Sequence, residues 1–168
     1  MKTIAELKAS FSRPGRLEWI GLSPARRQPL VVVDQAVVAE GTGLDGDHHA
    51  RSGKSQRQVT LIQQEHFAAI ASLAGLDEVR PEQLRRNLVV SGINLLMLKE
   101  KRFCIGGAWF EGAGICAPCS RMEETIGPGG YNAARGHGGI TAKVIRGGVI
   151  RIHDAVVPID DITHEPAD

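Results

Sequence analysis

The chain has 168 residues, of which 42% are apolar and 23% are charged, a composition typical of one globular domain and not of a disordered chain. Twenty basic and nineteen acidic residues give a net charge of +1, which provides no reason to expect nucleic acid or an anionic membrane as a partner. No apolar run is long enough to span a bilayer, and residues 1–12 lack the apolar core of a signal peptide. We therefore predict a cytoplasmic protein.

Glycine, at 20 residues, divides the sequence into short segments that are rich in Val and Ile and predict β-strands. These segments are residues 30–33, 58–62, 108–112, 141–145 and 149–152. Gly147-Gly148, between the last two segments, has the chemistry of a tight hairpin turn. We therefore expect those two strands to be joined as a hairpin.

Two helices interrupt this pattern. The first is predicted over residues 63–74, because apolar residues recur from Phe67 at the i, i+3, i+4 and i+7 positions of one helical face. Gly75 follows it as a C-terminal stop. A shorter helix is predicted over residues 81–86, with Pro81 in its first turn.

Many short strands and few helices predict a mainly β fold, a barrel with helices packed outside. No linker, internal repeat or low-complexity tract divides the chain, so we predict one domain over residues 1–168. Its last residues, 158–168, are acidic and interrupted by proline, and we expect them to form a loosely held tail.

Cys116 and Cys119 form a Cys-x-x-Cys motif with three competing interpretations. A structural zinc site would need a second ligand pair at a recognisable spacing, and the sequence has none. A thioredoxin-like redox site would need a βαβ context, whereas this stretch lies between β-type segments. In the third interpretation Cys119 is the functional thiol, because Pro118 fixes the chain before it and Arg121 follows closely, and Cys116 is an optional resolving partner.

The polar, glycine-rich loop of residues 43–49 contains Asp45, Asp47, His48 and His49, which could bind a metal. Because adjacent side chains diverge in a strand, we do not expect both histidines to bind one ion. The alternative is a turn in which the two aspartates hydrogen-bond their own backbone.

Arginines next to predicted elements have a structural and a functional interpretation. Arg86 at the end of the second helix is explained by the helix dipole, but Arg86 or Asn87 could instead hold an anion in a pocket. Arg57, before a strand, has the same two interpretations.

The longest glycine-dense region covers residues 127–139 and contains Arg135 and His137. Glycine loops expose backbone N–H groups that can bind phosphate. Since neither a Walker motif nor a GxGxxG that opens a helix is present, nucleotide binding of those standard kinds is unsupported. A different phosphate-bearing ligand stays open, because Arg135 and His137 follow the candidate thiol closely.

Six motifs, taken in this order, resemble the MOSC domain, named for the C-terminal domain of molybdenum cofactor sulfurase, in its small stand-alone bacterial form. They are GLDGDHHA (43–50), RQVTL (57–61), RNLVVSGI (86–93), CAPCSRM (116–122), RGHGGI (135–140) and GGVIRI (147–152). The resemblance covers about residues 17–157. One departure is His153-Asp154, where many relatives have Gly-Asp.

The resemblance implies a closed β-barrel of the kind shared with the pyruvate kinase barrel domain. Cys119 matches the characteristic cysteine, proposed in the family to carry sulfur as a persulfide or to ligate the molybdenum of a pterin cofactor. His49 matches the histidine of the family's Gly-Asp-x-His pattern. The residues expected to line the cofactor pocket are His49, Arg57, Arg86, Asn87, Arg121, Arg135 and His137. Pyridoxal phosphate is associated with the family through larger relatives, but no segment here resembles their desulfurase domain, so catalysis with that cofactor is not predicted.

The resemblance leads to three hypotheses of function. In the first, the protein binds the molybdenum cofactor through Cys119 and is the molybdenum-binding component of a reductase of N-hydroxylated compounds. Its electrons would come from a partner protein, because the chain has no flavin or iron–sulfur motif. In the second, it is a non-catalytic carrier of cofactor or of persulfide sulfur that a donor protein supplies. In the third, it is a thiol-redox or zinc-stabilised domain that uses both Cys116 and Cys119.

Overall fold

The computed structural model describes residues 1–50 and 55–159. Within these ranges the chain forms eleven β-strands: β1 (Gly15–Leu22), β2 (Val31–Val33), β3 (Gln35–Ala39), β4 (Gly43–Leu44), β5 (Val59–Gln63), β6 (Leu88–Ser91), β7 (Arg102–Ile105), β8 (Ala108–Ile115), β9 (Ile140–Arg146), β10 (Gly148–Arg151) and β11 (Ala155–Ile159). The predicted tail overlaps β11 at its first two residues, and its remainder lies outside the described residues.

Seven of these strands close a barrel in the order β1, β11, β7, β8, β9, β5 and β6, with β6 paired again to β1. Only the pair of β5 and β6 is parallel among the described barrel strands. β2 extends the sheet from β1, and β10, β3 and β4 form a small second sheet. The predicted fold class, a mainly β protein with a closed barrel and peripheral helices, is confirmed.

The described residues also form five α-helices and two short 3₁₀-helices. They are α1 (Ile4–Ala9), α2 (Phe67–Ala74), α3 (Pro81–Leu84), α4 (Ser120–Ile126) and α5 (Gly130–Ala134), with 3₁₀ turns at Gln64–His66 and Leu95–Leu98. None of the helices in this part of the chain has the length and hydropathy needed to cross a membrane.

The first predicted helix corresponds to α2, although it begins later than expected because Gln63 still belongs to β5. Its end at Gly75 is confirmed. Gly75 is left-handed, with a φ of 70°, and its N–H donates to the carbonyl of Ser72 at 3.2 Å. Glycine adopts this conformation without the steric cost that other residues incur.

The second predicted helix is shorter than expected. α3 ends at Leu84 because Arg85 has a left-handed backbone, with a φ of 55°, which interrupts the helix. Arg86 therefore lies outside the helix, and the explanation of this residue by the helix dipole is wrong.

The predicted hairpin at Gly147-Gly148 is also wrong. β10 pairs with β3, where Gly148 lies opposite Val38, whereas β9 pairs with β5 and β8. At Gly147 the chain passes from the barrel into the second sheet and runs close to the backbone of Val38. A Cβ atom on residue 147 would lie only 2.8 Å from the carbonyl oxygen of Val38, so glycine fits there better than any larger residue. The departure from the family at His153 keeps a left-handed turn, with a φ of 75°.

Two apolar clusters stabilise this architecture. The first is formed by the barrel strands and the second sheet, and in it Phe103 and Phe110 stack with ring centroids 5.5 Å apart. The second joins the barrel to α2, α3, α4 and α5. Every residue of β5 is buried, with Leu61 in the first cluster and Ile62 in the second. The second cluster thereby fixes α4, with the cysteine motif before it, against the barrel.

Candidate functional site

The described residues enclose a cleft of about 230 Å³ whose walls come from distant parts of the sequence. The walls are the loop from β1 to β2, the turns after β4, the start of β5, the segment from α3 to β6 and the N-terminus of α4. Six of the predicted site residues line the cleft: Cys119, His49, Arg57, Arg86, Asn87 and Arg121. Their roles as ligands stay predictions.

Cys119 is the residue immediately before α4, and it is half-buried. The expectation that this motif lies between β-type segments is wrong on its C-terminal side, because seven helical residues follow Cys119. Cys116 is 1% exposed, and its N–H donates to the carbonyl of Gly139 at 2.9 Å. The two cysteines therefore differ, since Cys119 opens onto the cleft and Cys116 belongs to the packed interior.

Arg86 is buried, with 1% of its surface exposed, and it binds backbone carbonyls. Its Nε donates to Gly138 at 2.8 Å, and its Nη2 donates to Ala117 at 2.8 Å and more weakly to Cys116 at 3.4 Å. Burial lowers the pKa of Arg86, and the neighbouring Cys116 and Cys119 act in the opposite direction. Arg86 thus fastens the cysteine loop to the glycine loop, which compensates for the desolvation of its charge.

Asn87 is buried at the back of the cleft, and both ends of its amide are occupied. Its Oδ1 accepts from the N–H and the hydroxyl of Thr60, each at 3.1 Å. Its Nδ2 donates to the carbonyl of Gly21 at 3.1 Å and to Asp47 at 2.8 Å. Because an amide has two donor and two acceptor positions, Asn87 keeps none for an anion and instead ties β1, β5 and the β4 loop together.

Asp47 orients the two histidines of the cleft. Its side chain is 1% exposed and accepts from the N–H of Ser23 at 2.8 Å and from Nδ1 of His49 at 2.9 Å. His48 Nδ1 donates in turn to the carbonyl of Ser23 at 2.9 Å. Each neutral ring therefore keeps its proton on Nδ1, and its Nε2 has no hydrogen-bond partner among the residues that the structure describes. Burial raises the pKa of Asp47, but the hydrogen bonds from His49 and Ser23 outweigh it, so the pKa is lowered overall.

The two histidines do not diverge as expected, because they lie in turns and not in a strand. Their ring centroids are 3.8 Å apart. The predicted turn at Asp47 is confirmed by its bond to the N–H of His49 at 3.0 Å, whereas the side chain of Asp45 makes no such bond within the described residues. Asp47, His48 and His49 are close enough to hold a metal ion, but the oxygens of Asp47 already accept four hydrogen bonds.

The cleft is strongly cationic although the chain as a whole is nearly neutral. Six arginines line it: Arg26, Arg27, Arg57, Arg85, Arg86 and Arg121. Burial and the nearby Arg121 lower the pKa of Arg85, and Cys119 and Asp47 act in the opposite direction. This field disfavours a free divalent cation and favours an anion or an anionic cofactor.

Several cleft residues were not among the predicted site residues. They are Ser23, Arg26, Arg27, Leu30, His48, Thr60, Arg85 and Ser120. The adjacent pair Arg26-Arg27 was the clearest available signal, but single arginines are more often solvated than bound to a ligand.

Arg135 and His137 do not line the cleft, contrary to the expectation from the resemblance. The reason is α5, an unpredicted helix that redirects the chain within the glycine-dense region. Arg135 is exposed and donates to the hydroxyl of Tyr131 at 3.4 Å. The ring of His137 packs edge-on against His66, with centroids 5.1 Å apart.

Several amides of the glycine-dense region donate hydrogen bonds within the protein. The N–H groups of Gly129 and Tyr131 each donate to the carboxylate of Glu123 at 2.8 Å, and these bonds lower the pKa of Glu123. Gly139 has a φ of 86°, and a Cβ atom there would overlap the carbonyl of Leu61. Gly139 therefore allows close backbone packing, and the amides of Gly129 and Tyr131 are not available to the phosphate-bearing ligand that the sequence left open.

Comparisons with known proteins agree with the observed fold. The family model of the MOSC domain matches residues 45–157. The structure is similar to that of the YuaD protein from Bacillus subtilis, with a TM-score of 0.74 and 22% identity over 86% of this chain and 94% of that chain. It is also similar to YiiM from Geobacillus stearothermophilus, with a TM-score of 0.69 and 16% identity over 88% of this chain and 76% of that chain.

YiiM from Escherichia coli is similar as well, with a TM-score of 0.66 and 16% identity over 89% of this chain and 72% of that chain. At these identities the likeness establishes the fold and nothing further. No curated protein matches the chain in sequence.

Proposed function

Since the chain belongs to the MOSC domain family, we propose that it binds a molybdenum–pterin cofactor in the cleft, with Sγ of Cys119 as a ligand of the metal. One observation carries this proposal: a half-buried thiol and six arginines line the same cleft. A soft thiolate suits molybdenum, and guanidinium groups suit the phosphate of the pterin. The residues present therefore fit both ends of the cofactor.

Different residues of the cleft have different roles in holding the cofactor. Arg57, which lines the cleft, is available to bind the phosphate of the pterin. Arg86 is not assigned to the ligand, because its guanidinium group donates to the carbonyls of Gly138 and Ala117. These bonds hold the cysteine loop against the glycine loop. Cys119 is thereby kept in one position, as a metal ligand requires.

We further propose that the protein is the molybdenum-binding component of a reductase of N-hydroxylated compounds. When bound, the cofactor would supply a redox-active metal. Reduction of an N–OH group to N–H consumes two electrons and two protons and releases water. The electrons would come from a partner protein, and His49, whose Nδ1 is held by Asp47, has Nε2 free to hold one of the protons.

The test is the molybdenum and pterin content of protein produced in a host that makes the cofactor, for the wild type, Cys119→Ala and Cys104→Ala. Cys104 is a half-buried cysteine in β7, outside the cleft, so its variant is the matched control. We expect molybdenum and pterin in the wild type and in Cys104→Ala, and loss of molybdenum in Cys119→Ala. A molybdenum content of Cys119→Ala equal to that of the wild type would refute the assignment of Cys119 as a metal ligand.

A second candidate is a carrier of persulfide sulfur, which the position of half-buried Cys119 favours, since its thiol opens onto the cleft, where a donor or acceptor of sulfur can reach it. Incubation with a cysteine desulfurase and a sulfur donor, followed by mass spectrometry, tests it. One extra sulfur atom on Cys119, absent from Cys119→Ala, would support the carrier. A mass that does not change would count against it.

The third hypothesis uses both cysteines as a redox or zinc pair. The burial of Cys116 and its backbone bond to Gly139 argue against it, because a buried thiol is a poor reactive group. It predicts that Cys116→Ser and Cys119→Ser lose the same function, whereas the molybdenum proposal expects only the latter to lose metal. A partner protein and a cytoplasmic location stay predictions, and the structure adds no reason to predict catalysis with pyridoxal phosphate.

A further inference from the structure

The positive charge of the cleft exceeds what one pterin phosphate requires. Apart from Arg86, which binds backbone carbonyls, five guanidinium groups line the cleft, and a phosphate monoester carries a charge of only about −1.5 to −2 at neutral pH. Asp47, the buried carboxylate behind the cleft, is already bonded to His49. Glu124, at the rim, is the other nearby carboxylate that the described ion pairs show. The cleft can therefore accommodate a further anion.

The surplus is concentrated on the loop between β1 and β2, which carries Arg26 and Arg27. This loop has a defined conformation. The N–H of Gln28 donates to the carbonyl of Ala25 at 3.2 Å, and the carbonyl of Gln28 accepts from Nη2 of Arg85 at 3.1 Å. Arg85 therefore fixes the loop against the segment that leads into β6.

The backbone of Arg27 is left-handed, with a φ of 66°, which is uncommon for a residue with a side chain. Such conformations cost free energy and persist where the surrounding structure holds them, often at functional sites. Arg27 is also largely exposed, with 66% of its side-chain surface accessible, so packing of the side chain does not explain its position.

The donors on this side of the cleft are only partly satisfied. Glu124 is shared, because one oxygen contacts Arg27 at 3.5 Å and the other pairs with Arg121. The Nε of Arg121 is buried and has no hydrogen-bond acceptor among the described residues. A buried donor without an acceptor is unfavourable unless a ligand supplies one.

We propose that Arg26, Arg27, Arg85 and Arg121 form a second anion site, which binds a phosphate group distinct from the phosphate that binds near Arg57. The inference rests on the proposed function in one respect, because it assigns the first phosphate to the pterin. The second phosphate has two sources: a nucleotide extension of the pterin, or a phosphate group on the substrate. Both present the same chemistry to the arginines, a tetrahedral oxyanion that accepts paired N–H bonds.

The first experiment is a titration of cofactor-free full-length protein with inorganic phosphate at constant ionic strength, followed by NMR of backbone and arginine Nε–H groups. We expect two separate saturation curves, one for the residue 23–30 loop and Arg121, and one for the vicinity of Arg57. In the double variant R26Q/R27Q, the phosphate affinity obtained from the first curve should fall about tenfold or more, while the affinity obtained from the second curve stays unchanged. R57Q should show the reverse, and R146Q, outside the cleft, should match the wild type.

A single curve for the whole cleft, the same curves in R26Q/R27Q as in the wild type, or no phosphate binding would each overturn the second site. The double variant is expected to fold, because both side chains are exposed, and thermal unfolding checks this. Absence of molybdenum and pterin from the wild type would instead contradict the proposed function, and would leave the titration of cofactor-free protein unaffected.

The second experiment identifies the source of the phosphate in cofactor-loaded protein. If the residue 23–30 loop still responds to phosphate, the second group belongs to a substrate. If the response is lost and the extracted pterin carries a nucleotide, the group belongs to the cofactor. Loss of the response with a pterin that carries no nucleotide would show that one phosphate uses all the arginines, and would overturn the proposal.

Discussion

The Cys119 cleft and the glycine-dense segment of residues 127–139 contain similar residues but differ in how the guanidinium groups of the first and the backbone amides of the second are used. In the glycine-dense segment, the N–H groups of Gly129 and Tyr131 already bind the carboxylate of Glu123. In the cleft, guanidinium groups outnumber the nearby carboxylates.

The same contrast holds within the cleft. Arg86 and Asn87 are satisfied by carbonyls and side chains of the protein, whereas the Nε of Arg121 has no acceptor among the described residues. The type of a residue therefore does not identify a binding group. Within the cleft, a better guide is a guanidinium donor that the described residues leave without a partner.

The largest expected effect concerns the structural role of the glycine-dense segment. Gly139→Ala and its matched control Gly136→Ala both place a side chain at a positive φ, of 86° and 85° respectively. Only at Gly139 would the Cβ atom overlap backbone atoms of Leu61, since nothing lies within 4 Å at Gly136. We expect Gly136→Ala to lower the free energy of unfolding by about 1 kcal/mol, and Gly139→Ala by roughly 3 kcal/mol more, in urea unfolding. Equal losses would contradict the packing role.

The next effect tests Arg86 as a structural clamp. Arg86→Ala would leave the carbonyls of Gly138 and Ala117 without their donor in a buried site. We expect the free energy of unfolding to fall by about 3 kcal/mol, whereas exposed Arg135→Ala should change it by less than about 0.5 kcal/mol. If Arg86→Ala were as stable as Arg135→Ala, the clamp would be disproved.

The third effect is a dependence on pH at Asp47. Its pKa is lowered in the folded state, so its charged form adds stability that is present above the unfolded pKa of about 3.9 and is lost as the pH falls through the lower folded pKa. We expect Asp47→Asn to cost about 2 kcal/mol at pH 7, and the difference from the wild type to shrink below about pH 4. Exposed Asp45→Asn is the control. A difference that stays constant with pH would rule out the charged carboxylate as its cause.

The smallest effect compares an arginine of the cleft with one of the glycine-dense segment, and it rests on the proposed function. Arg57→Gln should weaken retention of the cofactor by roughly tenfold, because one charge-assisted contact to phosphate is lost. Arg135→Gln, away from the cleft, should leave it unchanged. Molybdenum per protein after extended dialysis measures both. A loss of molybdenum from Arg135→Gln, with none from Arg57→Gln, would show that the cofactor binds at the glycine-dense segment and not in the cleft.

Much of the fold could be predicted from sequence because its signals are local. The strand segments and the stop at Gly75 follow from residue type, and closure of the barrel follows from the family resemblance. The hairpin at Gly147-Gly148 was wrong because the partner of β10 is β3, more than a hundred residues earlier in the chain. Local turn chemistry does not specify such a distant pairing.

The site was predicted only in part, because the residues that were missed also depend on contacts between distant parts of the sequence. Six predicted residues share the cleft, but Arg26 and Arg27 were left out because their importance depends on loops that meet only in the folded chain. Arg135 and His137 were included because of the family resemblance and because they lie near Cys119 in sequence. The short helix α5, which has little helical signal among its glycines, directs them elsewhere.

The most direct test of the central claim is X-ray absorption at the molybdenum edge, on the wild type and on Cys119→Ser. Serine keeps an oxygen at the position of Sγ, so the metal can remain bound while its ligand changes. If Cys119 ligates molybdenum, the variant should have one sulfur fewer and one oxygen more around the metal, or should lose the metal. Identical sulfur shells in the two proteins would contradict the proposed site.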